Sequence, residues 1–191
     1  MPTSNIFERE VGRSLSRLEQ EGEVFWFRLF DTTSFRHISE KIYAIRQPCD
    51  FIAIYGGKVF MLELKSSRSG TSFAFRYIRP HQLTSLLRAE RAGKGNVVSL
   101  FLINRRAGRG RISAYAVRAR TMKSLIKGSM KKSVRWGELE RLGLEIEREK
   151  GLWLLKDVFE YYIQRDEVRN LYDREEMGIR EISLLHEAFK V

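Results

Sequence analysis

Two adjacent glycines, Gly56 and Gly57, separate two runs rich in Ile, Val, Phe and Tyr, and they constrain the fold more than any other feature of the 191-residue chain. A two-residue loop with positive φ at both central positions joins antiparallel strands as a tight hairpin, and glycine takes those angles without steric cost. Such a loop sets the register. With Tyr55 opposite Lys58, Ile54 faces Val59, Ala53 faces Phe60, Ile52 faces Met61, Phe51 faces Leu62, and Asp50 falls opposite Glu63. Phe51 to Ile54 and Val59 to Leu62, with Leu64, are apolar on both faces, the pattern of strands covered on both sides.

Directly opposed residues in an antiparallel pair repel when they carry like charge, unless something compensates them. Lys65 lies two residues beyond Glu63, so it projects from the same face as both acids. Charges gathered at one end of a doubly buried hairpin are costly without a partner or a metal. A divalent cation is the natural compensation. Mg²⁺ and Mn²⁺ take carboxylate oxygens and keep several waters, so Asp50 and Glu63 with phosphate and water would complete a shell. The lysine can sit beside an attacking water or stabilise charge developing on the phosphate. Phosphodiester cleavage is the chemistry that suits this group; the structural alternative is that the acids merely flank a buried hairpin and Lys65 is a solvated strand end.

Thirty-five Lys and Arg against 24 Asp and Glu give a formal charge of +11, which favours a polyanionic partner, nucleic acid first. No run approaches membrane-spanning length and no long basic amphipathic helix with a strongly apolar face supports membrane binding. The N-terminus meets charge at once, and a single cysteine, Cys49, excludes an internal disulfide, so the expected location is intracellular, in the cytoplasm. Cys49 and three scattered histidines give no zinc-ligand spacing, and Cys49 is expected to pack.

Residues 5–21 read as a helix with Phe7, Val11, Leu15 and Leu18 as its apolar stripe. Glu8 falls nearer that stripe than Glu10, while Arg9, Arg13 and Arg17 form a ridge on the far side. A strand around Phe25–Phe27 and a polar excursion lead to the hairpin. Residues 66–79 read as a basic, serine-rich loop containing Arg68, Arg76 and Arg79; Pro80 then opens a helix that stops near Gly93, with Gln82 in its first turn. Strands are expected at 97–104 and 112–117, joined by RRAGRGR, whose Arg105, Arg106, Arg109 and Arg111 form a candidate phosphate clamp or a solvated hairpin tip. Short helices follow at 119–127, 136–142 and 153–163, and residues 166–189 form an amphipathic tail. Length suits one domain.

A helix bearing an acid, a hairpin with Asp and Glu-x-Lys, and a helix beginning with Gln together resemble the PD-(D/E)xK nuclease superfamily. Within it the chain is most similar to RecU-type Holliday-junction resolvases, in RQPCDFIAIYGGKVFMLELKSS, TSFAFRYIRPHQ and SVRWGELERLGLEI, taken in that order. The resemblance spans about residues 1–160 and leaves 161–191 as a C-terminal helical extension. It implies an α/β fold with a restriction-endonuclease-like mixed sheet flanked by helices. It implies a divalent-metal-dependent, structure-specific endodeoxyribonuclease with Glu8, Asp50, Glu63, Lys65 and Gln82 as catalytic positions, and with Asp50, Glu63 and Glu8 toward Mg²⁺ or Mn²⁺. The FEREV segment is similar to the first helix of archaeal junction resolvases, which favours Glu8 over Glu10. The resemblance also implies a homodimer on a four-way DNA junction, with a recombinase as a further partner. The ridge Arg9, Arg13 and Arg17, the loop arginines Arg68, Arg76 and Arg79, and the turn 105–111 would hold phosphates. The segment before Asp50 is short for the protruding stalk of RecU-type enzymes, which leaves open a nuclease of the same fold acting on other DNA structures. A non-catalytic DNA-binding protein of that fold is the third reading.

Overall fold

The hairpin forms in the register that its glycines dictate. β2 (Phe51–Tyr55) and β3 (Lys58–Ser67) pair antiparallel from Tyr55↔Lys58 to Phe51↔Leu62, with φ of 54° at Gly56 and 73° at Gly57. The computed structural model of the chain describes residues 3–29, 47–107, 112–128 and 131–167. Residues 30–46, the expected excursion, lie outside that description, as do Arg109, Arg111 and the tail beyond residue 167.

Around the hairpin the described residues build a six-stranded mixed sheet, ordered β1 (Phe25–Arg28), β2, β3, β5 (Val97–Arg106), β6 (Ile112–Arg118), β8 (Leu144–Glu145). Only β3 and β5 run parallel, and the connection between them carries β4 (Ser72–Ala74) and α2 (Pro80–Ala92). A parallel pair needs a crossover of this kind, and a helix is the usual means. β4 pairs with β7 (Ser133–Arg135), and β9 (Arg148–Glu149) pairs with β10 (Leu152–Trp153), as two small accessory ribbons.

Alternation along the central strands divides the core into two layers. Phe60, Leu62 and Leu64 of β3 with Val98, Leu100 and Leu102 of β5 face α1 (Thr3–Gln20), whose Phe7, Val11 and Leu15 are buried as the apolar stripe predicts. Met61 of β3 with Phe101 and Ile103 of β5 face α2, α3 (Ala119–Gly128) and α4 (Trp136–Leu142), through Leu86, Met122, Trp136 and Leu139. The result is the expected mixed sheet between helical layers. Among the described residues no helix is long and apolar enough to cross a membrane.

Residues 155–167 are helical, so the expected 160/161 boundary falls inside a helix rather than between a domain and an appendage. Its inner face is core: Leu155, Val158, Phe159 and Tyr162 are buried, Tyr162 donates to the Ala116 carbonyl at 2.8 Å, and Phe159 lies 4.3 Å from the Phe60 ring. Ile163 sits so close to Gly56 that a Cβ there would meet its Cδ1 at 2.9 Å, so the turn needs glycine for space as well as for φ. The folded unit therefore extends through at least residue 167. Tyr162→Ala should lower stability to urea by about 3–5 kcal/mol, the cost of emptying an aromatic core site; a loss below about 1 kcal/mol would restore the expected boundary.

Candidate active site

Asp50 closes the open end of the hairpin. Its N–H donates to the Leu62 carbonyl at 3.0 Å and its carboxylate Oδ2 accepts the Leu64 N–H at 2.7 Å. Both bonds bracket Glu63, so the acid of the incoming chain stands where the ladder would have continued, beside the acid of β3. Glu63 and Lys65 point to the α2 face of the sheet, where Gln82 meets them from the first turn of that helix. Lys65 Nζ donates to Glu63 Oε1 at 2.6 Å and to Gln82 Oε1 at 3.0 Å, and Gln82 Nε2 donates to the same Glu63 oxygen at 2.5 Å.

Gln82 can do this because Pro80 starts the helix with its φ already suited to the first turn, and because Gln82 also accepts the Arg79 N–H at 3.4 Å as part of the helix cap. One side chain thereby ends the helix and braces two charged groups.

The electrostatics record the crowding. Burial first, then the neighbouring Asp50 charge, push Glu63 up to about 7, against the opposing pull of Lys65. Glu8, near the start of α1, is raised by burial and by Asp50 as well, while Arg28 and Lys65 hold it down. Even Cys49, buried and donating to the Phe51 carbonyl, is pushed up to about 12 by burial and by the two acids, so it is an inert packing group. Among the described residues, three carboxylates, Glu8, Asp50 and Glu63, thus stand with the cations Lys65 and Arg28.

Glu8 and Glu10 part company in the structure. Glu8 is bound by Arg28 from the end of β1 and feels Asp50. Glu10 is buried on the α1 face, held by Arg106, by Arg148 at 3.1 Å and by the Trp153 indole N–H at 3.3 Å. Arg28 has no signal in the local sequence. Its place follows from the long-range pairing of β1 with β2, which sets Arg28 opposite Phe51, next to Asp50.

The expected phosphate contacts separate in the same way. Arg9, Arg13, Arg68, Arg76 and Arg79 are exposed, and Arg17 is exposed beside Glu21 at 2.6 Å. Arg106 is not a clamp residue. It turns inward to Glu10 and donates to Asn104 Oδ1 at 2.5 Å, its charge spent on a buried acid. Arg105 donates to the Gly70 carbonyl at 2.7 Å and lies over the Trp136 ring, which leaves it at the surface.

A divalent cation is tested by the donor set. Among the described residues no three His, Cys, Asp or Glu side chains converge closely enough to hold an ion by themselves. Glu63 Oε2, however, is buried with no hydrogen-bond partner beside the Asp50 carboxylate. A buried carboxylate oxygen left without a donor is expensive, and a hard cation is the partner that oxygen atoms on two acids suit. The residues fit such an ion with two carboxylates, the rest of its shell coming from water and phosphate.

The raised Glu63 makes a pH prediction. A carboxyl whose folded value lies above its unfolded value gives stability that is complete below about 4.5 and lost as pH rises through about 7. Glu8 shifts in the same direction and adds to the trend. In chelator, stability should fall across that window by on the order of 3 kcal/mol, and Glu63→Gln should remove most of the slope. Urea unfolding at stepped pH reads it; an unchanged slope in the variant would place the titrating group elsewhere.

No curated protein matches the chain. Among solved structures it is similar to Hjc, a Holliday junction resolvase from Archaeoglobus fulgidus, with a TM-score of 0.41 and 14% identity over 72% of this chain and 93% of that one. The family model described as RecU, Recombination protein U, matches residues 28–158, well over half of the chain and a span that includes Arg28, Asp50, Glu63, Lys65 and Gln82. The chain belongs to the RecU family of Holliday-junction resolvases.

Proposed function

We propose that this chain resolves four-way DNA junctions by hydrolysing phosphodiesters at the Asp50–Glu63–Lys65–Gln82 site with the help of a divalent cation, Mg²⁺ or Mn²⁺. The observation that carries the reading is the unpartnered, buried Oε2 of Glu63 beside the Asp50 carboxylate. Asp50 and Glu63 would hold the ion and Glu8 would orient it from outside. When bound, the cation supplies Lewis-acid stabilisation of phosphate charge and a more acidic water.

The protein's own groups account for the rest. Lys65 spends two of its three N–H donors on Glu63 and Gln82, so the third is held in a fixed direction for the attacking water or a phosphate oxygen. Gln82 keeps both charged partners in place and sits where it can orient the same water. Arg28 neutralises Glu8 at the mouth of the site and can turn to phosphate when a cation takes over that role. The exposed arginines of α1 and of residues 68–79 would bind phosphates without reading bases, so recognition is by shape and depends steeply on salt.

A homodimer fits a four-way junction, because two-fold symmetry in the protein matches the two symmetric strands to be nicked. A recombinase partner and a cytoplasmic location belong to the same reading and rest on the family resemblance.

The test is cleavage of an end-labelled four-way junction beside a duplex of the same sequence, with Mg²⁺ or Mn²⁺. Paired symmetric nicks on the junction alone are expected. Asp50→Asn should reduce the rate by roughly 10³-fold, equivalent to several kcal/mol of transition-state stabilisation, and Lys65→Met by roughly 10²–10³-fold, with binding retained in both. Equal cutting of both substrates would indicate a general nuclease of this fold. Binding without cutting in either metal would sink the catalytic reading.

A further inference from the structure

A column of aromatic rings runs from the core to the surface beside α2. Tyr115 and Trp136 have ring centroids 6.1 Å apart, Trp136 and Phe73 6.2 Å, and Phe73 and Tyr77 5.8 Å. The first three are buried. Tyr77, at the outer end, is 42% exposed.

The base of this column is fixed from several sides. β4 is pinned by β7 through Phe73↔Val134, the Trp136 indole N–H donates to the Ser69 carbonyl at 3.0 Å, and the Tyr115 hydroxyl donates to Glu140 at 2.7 Å. The buried Ile78 and the capped start of α2 anchor the chain immediately after Tyr77. A ring presented this way loses little conformational freedom when something stacks on it, which is the advantage of a preorganised contact.

The surroundings select the chemistry of the occupant. The Arg76 guanidinium lies 5.4 Å from the centroid of the Tyr77 ring, and Arg68, Arg79, Lys132 and Arg135 on the same connection and its partner strand are exposed. An exposed ring with a guanidinium against it, on a connection rich in exposed cations, is the pattern used for unpaired nucleotides, whose bases stack while their phosphates meet the charges. Gln82 of the proposed site follows Tyr77 by five residues, and the chain between them is held by the buried Ile78 and the start of α2.

We propose that Tyr77, with Arg76, is a stacking platform for an unpaired or splayed nucleobase next to the scissile phosphate, a role that rests on the nuclease reading above and adds to it. Arg76 trades its contact with the ring for the phosphate of the same nucleotide, which gives the ring face to the base. Because every base has a π face, the platform holds a branch-point nucleotide without selecting sequence. Tyr77 would thereby favour junctions over intact duplex, in which no base is free to stack.

The experiment uses the full chain, with Ca²⁺ in place of Mg²⁺, and four-way junctions carrying 5-iodo-deoxyuridine at single positions around the branch point. Irradiation should cross-link one of these positions to the peptide containing Tyr77; the cross-link should vanish in Tyr77→Ala and persist in Tyr77→Phe. Junction affinity should fall roughly 5- to 100-fold in Tyr77→Ala and stay near wild type in Tyr77→Phe. A stacked ring releases no counterions, so Tyr77→Ala should leave the slope of log K against log salt unchanged, whereas Arg76→Ala should lower it by about one. Thermal melting of both Tyr77 variants near wild type keeps the comparison clean, since the ring is at the surface.

Cross-links that map elsewhere, or Tyr77→Ala binding as wild type, would overturn the platform. If wild type cuts junctions in Mg²⁺ under either of those outcomes, the platform alone falls. A Tyr77 cross-link without any cutting keeps the platform and removes the nuclease. No binding to junctions at all removes both.

Discussion

Glu63 carries a negative charge in the middle of a strand that is covered on both faces, and much of the local structure answers that cost. A lone carboxylate there would be strongly disfavoured, which is why burial raises it so far. Lys65 and Gln82 satisfy one oxygen and leave the other unpartnered, so the free protein holds the acid only partly compensated. Such a site is unstable toward the arrival of positive charge, and that is the property a cation-binding centre needs. The hairpin register makes it possible: a slip of one residue would turn Glu63 and Lys65 to the α1 face, away from Gln82, and bring Leu62 and Leu64 into their place.

The frame around the site is fixed by two other buried charge clusters. On the α1 face Glu10 gathers Arg106, Arg148 and the Trp153 indole, and Ser14 Oγ accepts the Trp153 backbone N–H at 2.8 Å. This network ties α1 to β5 and to the β9–β10 ribbon, and so decides where Glu8, two residues earlier, meets Arg28 and Asp50. In a second cluster Arg118 joins Glu90 of α2 to Asp166 of the last described helix and lies 5.2 Å over the Tyr162 ring. Buried ion pairs add little net stability compared with apolar packing, but removing one partner leaves the other charge stranded. Their value here lies in specifying one arrangement of helices on the sheet.

This division explains what the sequence made legible. Gly56-Gly57 and the apolar alternation are local signals, and they determined the register, the pairing of Asp50 with Glu63 and the side on which Lys65 projects. Pro80 made Gln82 legible as a residue of a helix's first turn, and its place in the site came from the family resemblance. The inward turn of Arg106 was not, because an arginine in RRAGRGR looks the same whether a solvent phosphate or a buried Glu10 receives it. The 160/161 boundary misplaced Tyr162 for a related reason: family resemblance ended there, but the hydrophobic face of the helix did not. Arg28 depended on which strand lies beside β2, a long-range fact that no local pattern carries.

The distribution of cations has a consequence for selectivity. Of the arginines described, Arg28, Arg106, Arg118 and Arg148 are engaged with acids of the protein itself, and Arg17 and Arg120 also lie beside acids, so among the described residues the positive charge left for a phosphate backbone includes Arg9 and Arg13 of α1 and the arginines between β3 and α2. Contacts of that kind set affinity and salt dependence equally for any duplex. They cannot by themselves distinguish a junction from a straight helix. Selectivity must therefore come from features that a duplex cannot satisfy: the spacing of two sites in an assembly, or a contact to a base that is free only at a branch. Tyr77 is an exposed side chain whose chemistry suits the second, and it stands on a column of rings too well buried to yield when a base is pressed against it.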